Sequence, residues 1–254
     1  MNDITYEQPL NERVRTLMRL EFLFQQIDQG MTDANSRNDR MILAAIVDIL
    51  QNTSRADLKV EIIKELERLS SNLTPLANSS GVDQTTLQRV LEDIHSTEQK
   101  MHALQGLFAQ DLRENDFINS IKQRCSVPGG TSDFDLPAFH CWLQKDAELR
   151  QTELQGWLSQ LDLLRTAVGL IMTLIRESAR STRVTAKAGL YQQPLDTQAP
   201  FQLIRVTLSA NTDCFAEISG GKHRITIRFL RMTTESRPGQ VEQDIDFILT
   251  NCVI

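Results

Sequence analysis

The chain has 254 residues, of which 41% are apolar and 24% charged, and its net charge is −6. This composition excludes a largely disordered chain and allows a sizeable buried core. The negative charge excludes nucleic-acid binding by bulk electrostatics, so that only a local basic patch could support it.

Apolar residues recur at intervals of three and four through about the first 180 residues, which predicts helices. Asn11 is expected to cap the first helix and Gly30 to end it. Asp83 should cap a later helix, and Asp135 a short helix with Pro137 in its first turn. The later predicted helices cover residues 38–51, 55–74, 84–104, 107–125, 147–160 and 162–179.

After residue 181, apolar and polar residues alternate and Thr, Val and Ile become more frequent, which predicts strands. The predicted strands cover residues 201–208, 215–219, 224–232 and 241–249. Gly220 and Gly221 are typical of a hairpin turn, and residues 4–7 before Pro9 are a candidate N-terminal strand of the same sheet. The sequence therefore predicts an α+β fold, with a multi-helix domain at 9–181 and a mostly antiparallel β-domain at 1–8 plus 182–254.

Positive charge is concentrated near the C-terminus. Nine basic and four acidic residues lie between Arg176 and Arg231, a net charge of +5 that leaves −11 for the rest of the chain. Arg224, Thr226 and Arg228 alternate with apolar residues, so that one strand face is positive. Such a face either binds an acidic partner or is a solvated surface that protects an edge strand.

The first helix carries a second basic feature. Arg15 and Arg19 are four residues apart, opposite the apolar stripe, and Phe22 lies on their side of the helix. An exposed aromatic ring beside arginines suits an acidic, partly apolar peptide. Alternatively, Phe22 and the arginine stems pack on a neighbouring helix.

Catalytic and metal-binding patterns are weak. Neighbours on a helix point about 100° apart, so His140 is poorly placed to activate Cys141, which we expect in the core. The four cysteines lack CxxC spacing and are expected to be buried thiols, and the four histidines lack a ligand pattern. We expect no enzyme activity, no metal and no cofactor.

The chain is also expected to be cytoplasmic. Its N-terminus is polar, without the apolar segment of a signal peptide. The most apolar run, residues 167–175, is about half of the roughly 20 residues that a membrane-spanning helix needs.

Four segments together resemble the ZapD family. They are PLNERVRTLMRLEFL at 9–23, LRENDFINSIKQRCSVPGG at 112–130, FDLPAFHCWL at 134–143 and ISGGKHRITIRF at 218–229. The resemblance implies a symmetric dimer at the mid-cell division site that binds the C-terminal tail of the tubulin-like protein FtsZ and bundles its filaments into the Z-ring. It also implies that this tail combines acidic with apolar residues.

The resemblance further implies a set of partner-binding residues, whose arginines can hold carboxylates with two hydrogen bonds. The set is Arg15, Arg19, Arg55, Arg113, Arg124, His140, Lys222, Arg224 and Arg228. Asp116 stands where relatives can carry a basic residue, which would weaken the surface there or shift it towards the sheet. Arg113 could instead pair with Glu114 or Asp116 and only stabilise a helix.

The alternative function is a nucleic-acid-binding module on the basic face of the β-domain. Single-strand binders usually stack bases on aromatic side chains, and the charged face of the 224–229 segment interleaves none. We therefore expect neither a nucleic-acid partner nor insertion into a membrane.

Overall fold

Helices occupy most of the first 177 residues, as the apolar periodicity predicts. The computed structural model describes residues 3–254 except 34, 55–56, 80, 197, 222 and 233–237. Its helices are α1 (Glu12–Met31), α2 (Ser36–Asn52), α3 (Asp57–Leu73), α4 (Gln84–Ala103), α5 (Gln110–Glu114), α6 (Asp116–Cys125), α7 (Pro137–Leu143), α8 (Ala147–Ser159) and α9 (Asp162–Glu177).

Side-chain caps set several helix boundaries. Asn11 Oδ1 accepts a hydrogen bond from Val14 N at 2.9 Å, and Asp83 accepts from the first turn of α4, so both predicted caps are confirmed. The predicted 107–125 helix is instead two helices, because Asn115 leaves the helical conformation and caps α6 through Ile118 N. Asp135 was predicted wrongly as a cap: Leu136 holds that position, and Asp135 accepts from Ser132 Oγ at 3.2 Å.

All the described strands except one come after the helices in the chain, and the exception is at the N-terminus. They are β1 (Ile4–Pro9), β2 (Arg180–Ala186), β3 (Leu190–Pro194), β4 (Phe201–Leu208), β5 (Phe215–Gly220), β6 (Arg224–Arg231), β7 (Gly239–Gln240) and β8 (Ile245–Val253). The predicted 241–249 strand begins later, at Ile245, and ends later, at Val253. Asp244, just before it, accepts hydrogen bonds from Lys187 Nζ and Ala188 N.

Two antiparallel sheets share these strands. The first sheet has the order β1-β4-β8-β2, and the second has β3-β6-β5 with β7 also paired to β6. Ile4 lies opposite Leu208, which confirms that the N-terminal strand joins the C-terminal strands. The α+β fold class is thereby confirmed.

Apolar side chains from both sheets form one core, with Ile204 and Val206 from the first sheet and Ile225, Ile227 and Phe229 from the second. The chain divides into a sheet unit, Met1–Arg15 with Met172–Ile254, and a helical unit, Thr16–Ile171.

In the part of the chain that is described, no single helix is long and apolar enough to cross a membrane; α8 and α9 reach that composition only as a pair bent by 63°.

Candidate partner-binding site

Strand β6 presents its arginines outward. Ile225, Ile227 and Phe229 are fully buried in the core, whereas Arg224 and Arg228 are exposed, as the period-two alternation predicts. Arg228 Nη2 lies 2.6 Å from Glu217 Oε2 on β5, and both side chains are about half exposed. The described residues of the outward face of the second sheet therefore include an ion pair and, at Arg224, a further exposed cation.

Other cations of the 176–231 segment pair with acids elsewhere in the sheet unit. Glu7 on β1 accepts a hydrogen bond from Arg176 Nε at 2.9 Å, and its carboxylate lies 2.8 Å from Arg205 Nε. Lys187 and Arg231 form ion pairs with Asp244 and Asp213. The net charge of +5 is consequently spread over several surfaces and partly neutralised.

Helix α1 carries an exposed aromatic ring. Phe22 is 57% exposed and Arg19 is exposed, whereas Arg15 is partly buried and lies 3.1 Å from Glu12. The spacings of four and three residues put Arg15, Arg19 and Phe22 on one side of the helix. This side can offer both an apolar contact and positive charge.

Within the helical unit, one loop brings Arg124 and His140 together. The loop, residues 126–136, joins α6 to α7, and we call it the α6–α7 loop. Its Asp135 lies 3.8 Å from Arg124 Nη1, and its Asp133 lies 3.0 Å from His140 Nδ1. Two predicted site residues that are 16 positions apart thus flank one short segment.

Phe134 stands between these two aspartates and is 86% exposed. It lies within a motif that carries the family resemblance, yet the sequence reasoning did not single it out. The signal available was an aromatic residue between two acids in a segment without helical or strand periodicity, where no core face would bury it.

Arg113 is placed differently from the other predicted residues. Its guanidinium donates to Phe108 O at 2.9 Å, Leu50 O at 2.8 Å and Thr53 Oγ1 at 2.6 Å. Desolvation by burial lowers the pKa of Arg113 from its ordinary value. These contacts bind the end of α2 to the segment before α5, so they favour a structural role.

Two members of the predicted set remain, together with the acidic departure at Asp116. Arg55 and Lys222 lie outside the described residues. Asp116 is exposed in the first turn of α6, where a carboxylate interacts favourably with the helix dipole. Asp116 therefore has a role in stabilising α6 that does not depend on a partner.

The cysteines differ from the prediction of four buried thiols. Only Cys252 is buried, Cys214 is intermediate, and Cys125 and Cys141 are exposed. Desolvation raises the thiol pKa of Cys125 and Cys214, and that of Cys252 to about 11, which disfavours the reactive thiolate. Cys141 faces outward because Phe139 and Trp142 take the buried face of the short helix α7.

Among the described residues, one group of potential metal ligands occurs between α3 and α4. Ligand atoms of Glu67, Glu98 and His102 lie within 4.8 Å of one another, and helix packing brings Glu67 beside the other two. A closed structural zinc site has four protein ligands. The separation of 3.7 Å between His102 Nε2 and Glu98 Oε1 is that of ordinary i, i+4 neighbours on one helix.

Comparisons with known proteins agree with the quoted motifs. The family model ZapD, described as a cell division protein, matches residues 18–228. A curated relative named Cell division protein ZapD from Methylococcus capsulatus is 39% identical over 253 residues, covering 100% of this chain and 99% of the relative. Relatives of the same name from Chromobacterium violaceum and Cupriavidus metallidurans are each 37% identical over 250 residues, covering 98% of this chain and 99% of the relative.

Proposed function

The chain belongs to the ZapD family of cell division proteins and acts in cell division, and from this premise we propose that it binds the C-terminal tail of FtsZ and cross-links FtsZ filaments. Bundling of this kind promotes Z-ring assembly at mid-cell. The proposed activity is that of a non-enzymatic binding protein that uses no cofactor, does not insert into a membrane and has no nucleic-acid partner.

The observation that carries the proposal is the outward face of β6. Arg224 and Arg228 project from a strand whose alternate residues are fully buried, so the core does not need their charge. Exposed arginines can bind the carboxylates of an acidic tail with paired, charge-assisted hydrogen bonds. Their exposure to solvent also predicts a binding rate that falls as the salt concentration rises.

Cross-linking requires two binding sites in one particle, and a homodimer supplies them. One weak site suffices only to decorate a filament. Two sites that face a polymer gain effective concentration and therefore avidity. We propose a symmetric dimer for this reason and because the resemblance to the family implies one.

Co-sedimentation with assembled FtsZ tests the proposal. Filaments with and without the C-terminal tail are pelleted with the protein at low and high salt. We expect bundles that depend on the tail and that diminish as salt rises. Failure to pellet under every condition would overturn the proposal, and binding of a single-stranded oligonucleotide would then support the nucleic-acid alternative.

Reversal of the β6 charges gives a sharper test. Arg224→Glu with Arg228→Glu should leave the thermal unfolding midpoint close to that of the parent protein and weaken tail binding roughly a hundredfold or more. The matched control is Arg180→Glu with Arg183→Glu, which reverses two exposed arginines on β2 of the first sheet. Equal losses in both variants would mean that net charge, and not the β6 face, governs binding.

A further inference from the structure

Glu67, Glu98 and His102 form a compact set of metal-binding groups at the surface of the helical unit. One oxygen of each carboxylate and one imidazole nitrogen all lie within 4.8 Å of one another. Glu98 and His102 are four residues apart on α4, so they share one side of that helix. Glu67 lies on α3, 31 positions before Glu98, so only the packing of the two helices brings it to the other two.

The backbone positions of these ligands are fixed by the interface between α3 and α4. Each ligand directly follows a buried residue in the sequence, so each stands at the rim of the buried surface. Those buried residues are Leu66, Thr97 and Met101. Lys59 Nζ on α3 also donates to Leu104 O, at the end of α4, at 2.6 Å. The three groups can therefore converge further through side-chain rotation alone.

Among the described residues, no lysine or arginine forms an ion pair with Glu67 or Glu98. The contact to Glu98 comes from the His102 imidazole, which can serve as a neutral metal ligand. Two carboxylates at this separation repel each other. A divalent cation between them would replace that repulsion with two attractions.

The donor set selects the kind of metal. Calcium and magnesium prefer oxygen ligands, whereas an imidazole nitrogen combined with carboxylate oxygens suits zinc. Zinc requires its donors at about 2.0–2.2 Å. For three atoms no more than 4.8 Å apart, a point within about 2.8 Å of all three always exists, so shifts of less than about 1 Å satisfy zinc.

We infer that Glu67, Glu98 and His102 bind one zinc ion, and that the ion links α3 to α4. Three protein ligands leave a fourth tetrahedral position for a water molecule, as in open zinc sites. The ion stabilises the packing of the two helices, because its ligands are together only in the folded chain. This inference goes beyond the proposed function, which needs no metal.

The test measures zinc binding to the full-length protein after treatment with EDTA and removal of the chelator. Calorimetric titration with zinc chloride should show one ion bound per chain. A free zinc concentration a hundred times Kd should raise the thermal unfolding midpoint by about 5 °C or more. Renewed addition of EDTA should reverse this rise.

Variants of the ligands locate the ion. His102→Ala and Glu67→Gln should each weaken zinc binding about tenfold or more, because even the loss of a group that only orients a ligand lowers metal affinity about 10–100-fold. Glu67→Gln is the sharper variant, since it removes the ligand on the other helix. The matched control is His95→Ala, which removes an exposed histidine of α4 that pairs with Gln99. It should bind zinc as the parent protein does.

Exposed thiols are competing zinc ligands, and Cys125 and Cys141 are both exposed. Titration with cobalt(II) distinguishes them, because thiolate ligation adds an intense near-ultraviolet band that nitrogen and oxygen ligands do not give. We expect a cobalt spectrum without that band.

The outcomes separate the inferred site from an adventitious ion only. Absence of zinc binding, equal affinity in the parent and both ligand variants, or a cobalt spectrum with the thiolate band would overturn the inference. If His102→Ala weakens binding and Glu67→Gln does not, α4 alone holds the ion and the link between the helices is disproved. Because FtsZ is absent from these measurements, none of these results bears on the proposed function.

Discussion

All three guanidinium nitrogens of Arg113 donate hydrogen bonds within the helical unit. One of the acceptors, Thr53, is fully buried. We predict that Arg113→Ala lowers the free energy of unfolding by about 1.5–3 kcal/mol, because a charged donor is lost and buried acceptors are left without it. Urea titration followed by circular dichroism measures the change. Arg124→Ala is the matched control and should stay within about 0.5 kcal/mol of the parent protein.

Glu153 offers a pH-dependent contribution to stability. Its carboxylate accepts hydrogen bonds from Lys145 Nζ at 2.7 Å and Trp142 Nε1 at 2.5 Å. The bond from Lys145 and, to a smaller extent, that from Trp142 lower the pKa of Glu153 below its ordinary value of 4.5, against a partial desolvation. A lowered folded-state pKa means stability that is present above pH 4.5 and lost as the pH falls through that lowered pKa.

We therefore predict that unfolding by urea becomes easier below pH 4.5 in the parent protein, and that Glu153→Gln loses less stability over the same range. Fluorescence suits this measurement, since Trp142 and Trp157 are the two tryptophans and their rings lie 5.8 Å apart. Parallel pH profiles for the two proteins would show that Glu153 does not contribute.

At the scale of elements, a buried ion pair ties α2 to α8. Arg150 Nε donates to Asp39 Oδ2 at 2.7 Å, and Arg150 also donates to the carbonyl of Lys145. Both side chains are buried, and Asp39 Oδ1 lacks a donor in the described part of the chain. A buried pair with an unsatisfied oxygen links the helices at a high desolvation cost.

Removing one partner of this pair should lower the free energy of unfolding strongly, whereas replacing both partners with apolar residues should lower it less. We predict that Asp39→Ala or Arg150→Ala lowers the free energy of unfolding by about 3–5 kcal/mol, because each leaves a buried charge alone. Asp39→Leu with Arg150→Met should be closer to the parent than either single variant. Thermal unfolding of the three proteins checks this, and a double variant less stable than both singles would contradict it.

Local pattern predicted most elements and, apart from the pairing of β1 with the C-terminal strands, few of their tertiary partners. Helices α1 and α4 and strands β4 and β6 follow directly from apolar spacing and caps, which depend on near neighbours. Strands β2 and β3 were not predicted, because β2 is largely polar and exposed and both lie at sheet edges.

The candidate site shows the same difference between what local spacing predicts and what tertiary contacts decide. Alternation in β6 predicted the outward arginines, whereas the role of Arg113 depends on Leu50 and Thr53, about 60 positions away. Exposure of Cys141 and Phe134 likewise depends on which face of α7 and its loop meets the helical core. Neither could be derived from spacing alone.

At the scale of the whole molecule, a bivalent cross-linker differs from a protein that only decorates filaments. From the proposed dimer and the proposed tail binding, we predict that light scattering from FtsZ bundles first rises and then falls as the protein is added in increasing excess, because each tail then binds a different dimer. The amount of bound protein should meanwhile rise to a plateau. A scattering signal that rises with binding and never falls would contradict bivalency.

The division into a sheet unit and a helical unit also bears on domain organisation. We propose that they are separate domains, with the boundaries predicted from sequence at 9–181 for the helical one. The sheet unit is discontinuous, because β1 precedes the helices and the other strands follow them.

This discontinuity has a consequence for synthesis on the ribosome. Strand β1 is made first, yet its partner β4 follows some 200 positions later, and β8, which lies between β4 and β2, later still. At translation rates of about 5–20 residues per second, the first strand waits on the order of ten seconds or more with its edge unpaired. The helical unit can fold during that interval, so the nascent chain passes through a stage with a folded middle and an open N-terminal strand that needs protection from aggregation.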